Sequence, residues 1–569
     1  MPTLRDKAVR HLARHTEEIL SKQDEHGVFW PDAYYKAEFN TDYQQFAFYP
    51  LAWLYTLDHP DNPWRGNPLL LRAVEKSLRN NLAILLPDGQ YQMSTHDHGP
   101  HPHANNWRSF HWLRTLELIG PHLDKQLAAD CEAGLRRALN AVEKTARGQA
   151  ASTEFCARHN AANHPAWYML ATYVLSKKFG LEEKADWARE QLERICAAQH
   201  PAGLWYEHDG PAVVYQHITM SALSHYHALT QAPAAREALR RSLAYYRVGT
   251  YPNGHPAEVL DGRVRYTGYV LSMPPATWAL DPDGCAYLHF ILDKLLEQPL
   301  GAGHQVHGGW LGLPFFTQFA RDLPDSEEPA GGTALAGPGL HQLPGLPVCS
   351  IQRGPWTVWL SGFTRPAQPR GRWTLDFQTH LSVFHAERGL IFGGGGSKRQ
   401  AALSLFTGGS RPLGLPCLAL NGAVEKRGDA GAELRLDYPG FHASLRAEIS
   451  ATEVTLEAQA DPLPGSPSAE PIYWQLPFLL KGPGHVRTEH DEVAELDILN
   501  ELLPEHIGSY LGRVGKFRAS GFSGAHAVLH VLPYNTHWRD GRYTPEKALG
   551  IVAQPLQPGV PRKLTIRAE

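Results

Sequence analysis

The sequence is poor in cysteine, in uninterrupted apolar runs and in excess charge of either sign, and each shortage removes a class of function. Six cysteines (Cys131, Cys156, Cys196, Cys285, Cys349 and Cys417) stand in 569 residues with no CxxC spacing. Neither a disulfide framework nor a zinc ribbon is expected, and buried free thiols are. Apolar runs such as Leu69–Leu71 and Ile84–Leu86 are far shorter than the roughly 20 residues that cross a bilayer as a helix. Fifty-four Lys and Arg against 58 Asp and Glu leave a net charge of −4. That balance excludes a nucleic-acid protein working through a global basic field. The first helix, Leu4 to Leu20, is charged and lacks an apolar signal core, so a cytoplasmic location is the expectation.

What is present is material for a large core: 43% hydrophobic and 10% aromatic residues, with 31 histidines and 15 tryptophans. Imidazoles and aromatic rings in that number suit a carbohydrate cleft. The length calls for two or more domains, and the hydrophobic period changes along the chain. Up to about residue 300, apolar residues recur at three- and four-residue spacing over segments 43–57, 66–86, 107–119, 123–147, 165–179, 182–198, 213–229, 234–247 and 284–297. Short Gly/Pro/Asn/His connectors join these segments, and no GxGxxG or GxxxxGKS loop interrupts them. Antiparallel helix pairs of this kind predict a bundle or an (α/α) toroid over residues 1–320.

Residues 321–346 are rich in Pro, Gly and acid and read as a linker or long loop. Beyond them the period falls to two. Val348–Arg353, Trp356–Gly362, Leu381–Phe392, Glu433–Tyr438, Ala443–Ile449, Val454–Ala460, Ile472–Leu479 and Ala527–Leu532 read as strands. An antiparallel β-sandwich over residues 347–569 follows. No repeat of fixed period stands out, which disfavours a solenoid.

Several stretches carry chemistry. Arg158 through Pro165 (RHNAANHP) precedes a strong helix, where Asn163 and His164 can aim an amide and an imidazole at one anion. Ordinary capping by Asn163, with Pro165 in the first turn, is the competing reading. Trp205 through His217 (WYEHDGPAVVYQH) sets Glu207 and Asp209 in a turn and Tyr215, Gln216 and His217 at a helix start. Tyr215 is an acid–base candidate there, and equally a packed tyrosine with its hydroxyl tied. On the strand ahead of Leu381, alternation sends Asp376, Gln378 and His380 to one face, as a site wall or as a solvated edge. Gly393 to Lys398 lacks the helix that a phosphate loop needs. Trp107 can stack on a sugar and Arg108 can grip a carboxylate in bidentate fashion, with core packing as the alternative. The histidines of residues 96–103 lie in a Pro-broken stretch without zinc-site spacing, and Asp261 through Tyr266 reads as a solvated hairpin tip.

Taken together, these motifs resemble the heparinase II/III-like and oligoalginate lyase superfamily. The resemblance rests on Asn163-His164 before a helix, on Gly210 through Tyr215-Gln216, and on His380 ahead of Gly389-Leu390-Ile391-Phe392-Gly393. It spans both halves in their order: an N-terminal α/α toroid, then an antiparallel β-sandwich. The resemblance implies a carbon–oxygen lyase that cleaves uronic-acid glycans by β-elimination. Asn163 and Arg108 would neutralise the uronate, Tyr215 would be the acid, and the base would be Tyr215 or His164. His380 would close the cleft from the second domain, while Trp107, Gln216, His217 and Glu207 would contact substrate. No cofactor is implied. The family's sandwich strand sometimes holds a structural metal, but Asp376, Gln378 and His380 depart from that ligand order, so zinc or calcium is left in doubt. The expected partner is a uronate-containing oligo- or polysaccharide, with no nucleic acid and no membrane. Three rivals stay open: a glycoside hydrolase using Glu207, Asp209 or Glu258, a uronate C5-epimerase, and a non-catalytic glycan binder.

Overall fold

A computed structural model of the chain describes residues 2–30, 46–95, 98–160, 163–207, 210–262, 270, 273–297, 312–325, 328–364, 379–393, 404–409, 418–465, 471–479, 485–487, 493–495, 501–502, 517–520, 526–531 and 549–568. The protein is a mixed helical and sheet structure with several antiparallel sheets. Contacts divide it into two units. The first comprises residues 1–209, 213–244 and 269–334; the second comprises residues 210–212, 245–268 and 335–569. Among the described residues no helix is long and apolar enough to cross a membrane.

The helices are α1 (Leu4–Arg14), α2 (Thr16–Ser21), α3 (Phe48–Thr56), α4 (Pro68–Ile84), α5 (Asn106–Ile119), α6 (Lys125–Ala150), α7 (Asn163–Lys178), α8 (Glu182–Ala197), α9 (Val213–Thr230), α10 (Pro233–Gly249), α11 (Pro282–Leu296) and α12 (Gly312–Asp322). Their starts carry the side chains that helix ends require. Thr3 and Asp6 form a reciprocal capping box on α1, and Asn67, Asn105, Asp124 and Asp281 each accept from the first turn they precede. In the first unit the inner helices are buried nearly all round: α7 buries Trp167, Met169, Leu170 and Leu175, and α12 buries Leu313, Phe315, Phe316 and Phe319. The outer ones, such as α6 and α8, keep a charged face. The Trp167 indole donates to the Ile218 carbonyl at 2.7 Å and so pins α7 against α9.

One turn recurs. In Asp24–Val28, Leu86–Gln90, His200–Leu204 and Tyr251–His255 the first residue's N–H donates to the fifth residue's carbonyl, and a glycine N–H donates back to the first carbonyl. Those glycines, Gly27, Gly89, Gly203 and Gly254, have φ of 85°, 85°, 87° and 86°. This is a three-residue hairpin loop with its left-handed position filled by glycine. At Gly89 a β-carbon would strike the Arg137 carbonyl of α6, and at Gly203 that of Arg241 in α10. The turns at Gly27, Gly89 and Gly203 thus seat backbone on backbone, and three of the four turns share a Pro-x-Gly core at Pro87, Pro201 and Pro252.

The second unit contains a six-stranded sheet, two five-stranded sheets and a two-stranded ribbon, all antiparallel. Its outer strands show the expected alternation: in Phe441–Ile449 the residues Leu445, Ala447 and Ile449 are buried while Arg446 and Glu448 are exposed. Trp356–Ser361 and Leu381–His385 are buried on both faces. Residues 245–262, which the sequence counts with the helical half, pack on that inner sheet. Tyr251 stacks on Phe384 at 4.2 Å and 8°, and the turn Glu258–Leu260 lies beside it. The segment read as a linker is partly strand, since Gly339–Gln342 pairs with Val348–Arg353. The histidine stretch is a hairpin of Tyr91–Thr95 with His98–His103. Of the cysteines, Cys131, Cys196, Cys285 and Cys349 are buried free thiols and Cys156 is half-buried; Cys417 lies outside the described residues.

Candidate functional site

In the first unit the start of α7 gathers four of the expected residues. Asn163 is buried, and its Nδ2 donates to Glu207 Oε2 at 3.2 Å. The carboxylate can only accept, so it fixes which end of the amide is nitrogen and leaves the second N–H available. Asn163 Oδ1 has no hydrogen-bond partner among the described residues, which is costly for a buried carbonyl oxygen. His164 is exposed, and its ring stacks on Trp107 of α5 at 5.0 Å and 24°. Asn106 Nδ2 donates to the His164 carbonyl at 3.4 Å. An oriented amide, a carboxylate and an imidazole on an aromatic plate thus lie along adjoining helix starts.

The backbone leading to this cluster is strained. Cys156, Arg158 and His159 have φ of 60°, 47° and 65°, a region that disfavours any residue with a β-carbon by about 1–2 kcal/mol each. The strain is held in place by a bridge between Asn160 and Tyr206 and by the bonds that His159 makes. Tyr206 N–H donates to the His159 carbonyl at 2.9 Å, and His159 Nδ1 lies 3.0 Å from the Ala198 carbonyl. His200 stacks on Tyr206 at 5.2 Å. Burial pushes the His200 imidazole down to about 4 and the Tyr206 phenol up to about 12. Both therefore stay neutral near pH 7 and act as packing.

The remaining expected residues divide. Tyr215, Gln216 and His217 open α9 and are all buried. Successive helical residues point about 100° apart, so the three cannot face one cleft together. Burial drives the His217 imidazole well below its ordinary value, and it carries no positive charge toward a uronate. Arg108 is 1% exposed; its guanidinium bonds Asn81 Oδ1 of α4 and lies 5.6 Å over the Tyr91 ring. The expected bidentate grip on substrate gives way to a core role, because Arg108 leaves α5 about 100° from Trp107 and points among α4 and the hairpin. Asn81 and Tyr91, its partners, carried no signal in the sequence.

His380 belongs to the second unit. Its Nδ1 lies 2.7 Å from the Ser361 carbonyl, and burial pushes it down to about 4. With Leu381, Phe392, Gly393, Leu405, Leu476 and Pro477 it lines a cavity of about 10 Å³, room for one water and not for a sugar. Beside it lies a cluster that sequence reading named only in part. Ser382 Oγ donates to Glu258 Oε1, and the Tyr251 hydroxyl donates to Glu258 Oε2 at 3.2 Å. Burial first, then Glu258, pushes the Tyr251 phenol well above its ordinary value, keeping it a donor. Gly393, with φ of 133°, has no room for a side chain: a β-carbon would clash with Glu258 and lie 3.0 Å from Ser382 Oγ. That is the physical content of the Gly393 motif position. Asp209, Asp376, Gln378, the glycine run after Gly393, and Arg263, Val264, Arg265 and Tyr266 lie outside the described residues.

No protein-family model matches the chain, and no curated protein matches it. Among solved structures it is similar to the chondroitin AC lyase of Streptomyces coelicolor A3 bound to chondroitin sulphate, at 12% identity and a TM-score of 0.55, over 98% of this chain and 79% of that one. Looser likenesses, which carry no argument, are to a type II terpene cyclase from Scytonema (12% identity, TM-score 0.32, 56% of this chain and 99% of that one) and to a GH127 β-L-arabinofuranosidase from Geobacillus stearothermophilus T6 (12% identity, TM-score 0.27, 99% and 90%). What the first likeness establishes is a shared fold.

Proposed function

We propose that the chain is a glycan-active enzyme, and specifically a lyase that cleaves uronate-containing oligo- or polysaccharides by β-elimination on an (α/α) toroid. The observation that carries this reading is the Asn163–Glu207 pair beside exposed His164 stacked on the buried Trp107 ring. The fold likeness to a chondroitin lyase supports it.

The chemistry runs as follows. Removing the C5 proton of a uronate places negative charge on its carboxylate, and preorganised donors aimed there lower the barrier. The free N–H of Asn163, oriented by Glu207, supplies one such donor. His164, its ring plane fixed by Trp107, or Tyr215 takes the C5 proton as base. Tyr215 gives a proton to the departing O4, its own where His164 is the base and the one it took from C5 where it is the base itself, so the C4–O4 bond breaks as the C4–C5 double bond forms. Water is not consumed.

The test is a panel of uronate glycans assayed for the ultraviolet absorbance of an unsaturated uronate. Tyr215→Phe and Asn163→Ala should each lower kcat about 100-fold or more with the fold intact. Products that lack this absorbance and carry oxygen-18 from labelled water would replace the lyase with a hydrolase.

A further inference from the structure

A second set of ligating side chains lies in the first unit, away from α7. Cys285 and His289 are one helical turn apart on α11 and therefore share a face. Glu328, in the chain that follows α12, meets them: its Oε2 lies 2.7 Å from His289 Nε2. The three potential ligand atoms lie within 4.8 Å of one another. We propose that Cys285, His289 and Glu328 form a zinc-class transition-metal site that ties α11 to the start of α1 and to the segment after α12.

The donor set selects the ion. A thiolate with an imidazole suits Zn²⁺ and its softer neighbours, whereas Ca²⁺ and Mg²⁺ require oxygen shells. Zinc–ligand bonds of about 2.0–2.3 Å place tetrahedral ligands roughly 3.3–3.8 Å apart. Closing the observed triangle onto a metal then takes side-chain shifts of about 1 Å, with the His289–Glu328 contact lengthening by about half that. Charge balances as well: two positive charges on the ion meet one on the thiolate and one on the carboxylate, which lets a neutral group sit in a half-buried place.

The surroundings hold the ligands as an outer shell does. Leu4 N–H donates to Glu328 Oε1 at 2.6 Å, leaving Oε2 turned toward His289. One turn beyond His289, Asp293 pairs with Lys7 at 2.6 Å and locks the same face of α11 to α1. Cys285 is 3% exposed, while the His289 and Glu328 side chains are 27% and 29% exposed. The fourth coordination position therefore faces solvent and takes water. The competing account is an ordinary His–Glu ion pair beside an idle thiol, and the two differ in whether sulfur binds.

The experiment uses the full chain, stripped by chelator and titrated with Zn²⁺ and with Co²⁺. One equivalent of Zn²⁺ should bind, and Co²⁺ should give the near-ultraviolet band of thiolate-to-metal charge transfer. Cys285→Ser should abolish that band, and both Cys285→Ser and His289→Ala should weaken zinc at least tenfold. On the unmodified protein, zinc should slow alkylation of Cys285 and leave Cys131, Cys196 and Cys349 unchanged. This arm needs no variant to fold. A cobalt band that survives Cys285→Ser, or an alkylation rate indifferent to zinc, would overturn the proposal.

Discussion

Two polar clusters, one in each unit, differ in a way that separates function from architecture. Around the half-buried Glu258 both carboxylate oxygens have donors, in Ser382 and Tyr251, and a β-carbon at the neighbouring Gly393 would clash with it. Around Asn163 one amide end is held by Glu207 while Oδ1 lacks a partner among the described residues, and the adjoining His164 is exposed. A satisfied buried cluster contributes rigidity. An unfinished one costs stability unless a ligand completes it. The first unit therefore carries the reactive candidate, although both clusters contain the residue types that chemistry uses.

The sharpest way to break this comparison is to cut each cluster and read both activity and stability. Asn163→Ala should lower turnover on a uronate glycan by about 100-fold or more, as loss of a transition-state donor does, while moving the denaturant midpoint little. Equal damage to stability would return Asn163 to a plain capping role. Gly393→Ala should do the opposite. It forces a β-carbon into the space of Glu258 and a left-handed φ onto alanine, at a combined cost of about 3 kcal/mol. Urea unfolding measures it, and Glu258→Ala in the same chain should recover part of the loss by removing the clash.

Acid sharpens the contrast further. His380 is neutral in the fold because burial holds it near 4, against an unfolded value of about 6.5. The unfolded chain then takes up protons that the folded one refuses. Stability from this residue is complete above about pH 6.5 and falls as pH drops toward 4, by up to about 3 kcal/mol. His380→Asn should flatten the slope of unfolding free energy between those values. An unchanged slope would mean that His380 is already charged, and so reachable by water.

How much of this was legible varies with the range of the interaction. Period-two alternation marks Phe441–Ile449 because one neighbour on each side decides which face is wet. The helices from α4 to α9 follow from three- and four-residue spacing in the same way. Three things escaped. The hairpin Tyr91–His103 has Pro and His where strands prefer β-branched residues, and pairing across it overrides that preference. The recurring glycine turn shares hydrogen bonds, φ and, in three of its four copies, a Pro-x-Gly core, but the copies are unevenly spaced, so no fixed period betrays it. Residues 245–268 join the second unit through Tyr251 on Phe384, a contact made far along the chain. In the candidate site the residue types at Asn163, His164, Trp107 and Glu207 were readable. The inward turn of Arg108 was not, since it depends on Asn81 and Tyr91 from other elements.

The smallest predicted effect bounds the comparison from the other side. On the wet face of the six-stranded sheet, Arg435 bonds Glu433 at 2.9 Å and Glu425 at 3.1 Å, and Arg427 reaches Glu433 at 2.6 Å. These groups are as fully partnered as those around Glu258, yet the arginines are half exposed. Water competes for every bond, and salt screens the rest. Arg435→Ala should therefore cost less than about 1 kcal/mol, and most of that should vanish in about 1 M salt. A larger loss that persists in salt would show the ladder packing through its aliphatic stems instead. Partnering alone, then, does not make a polar cluster structural. It has to be partnering out of reach of water, which the Glu258 cluster approaches and this ladder does not.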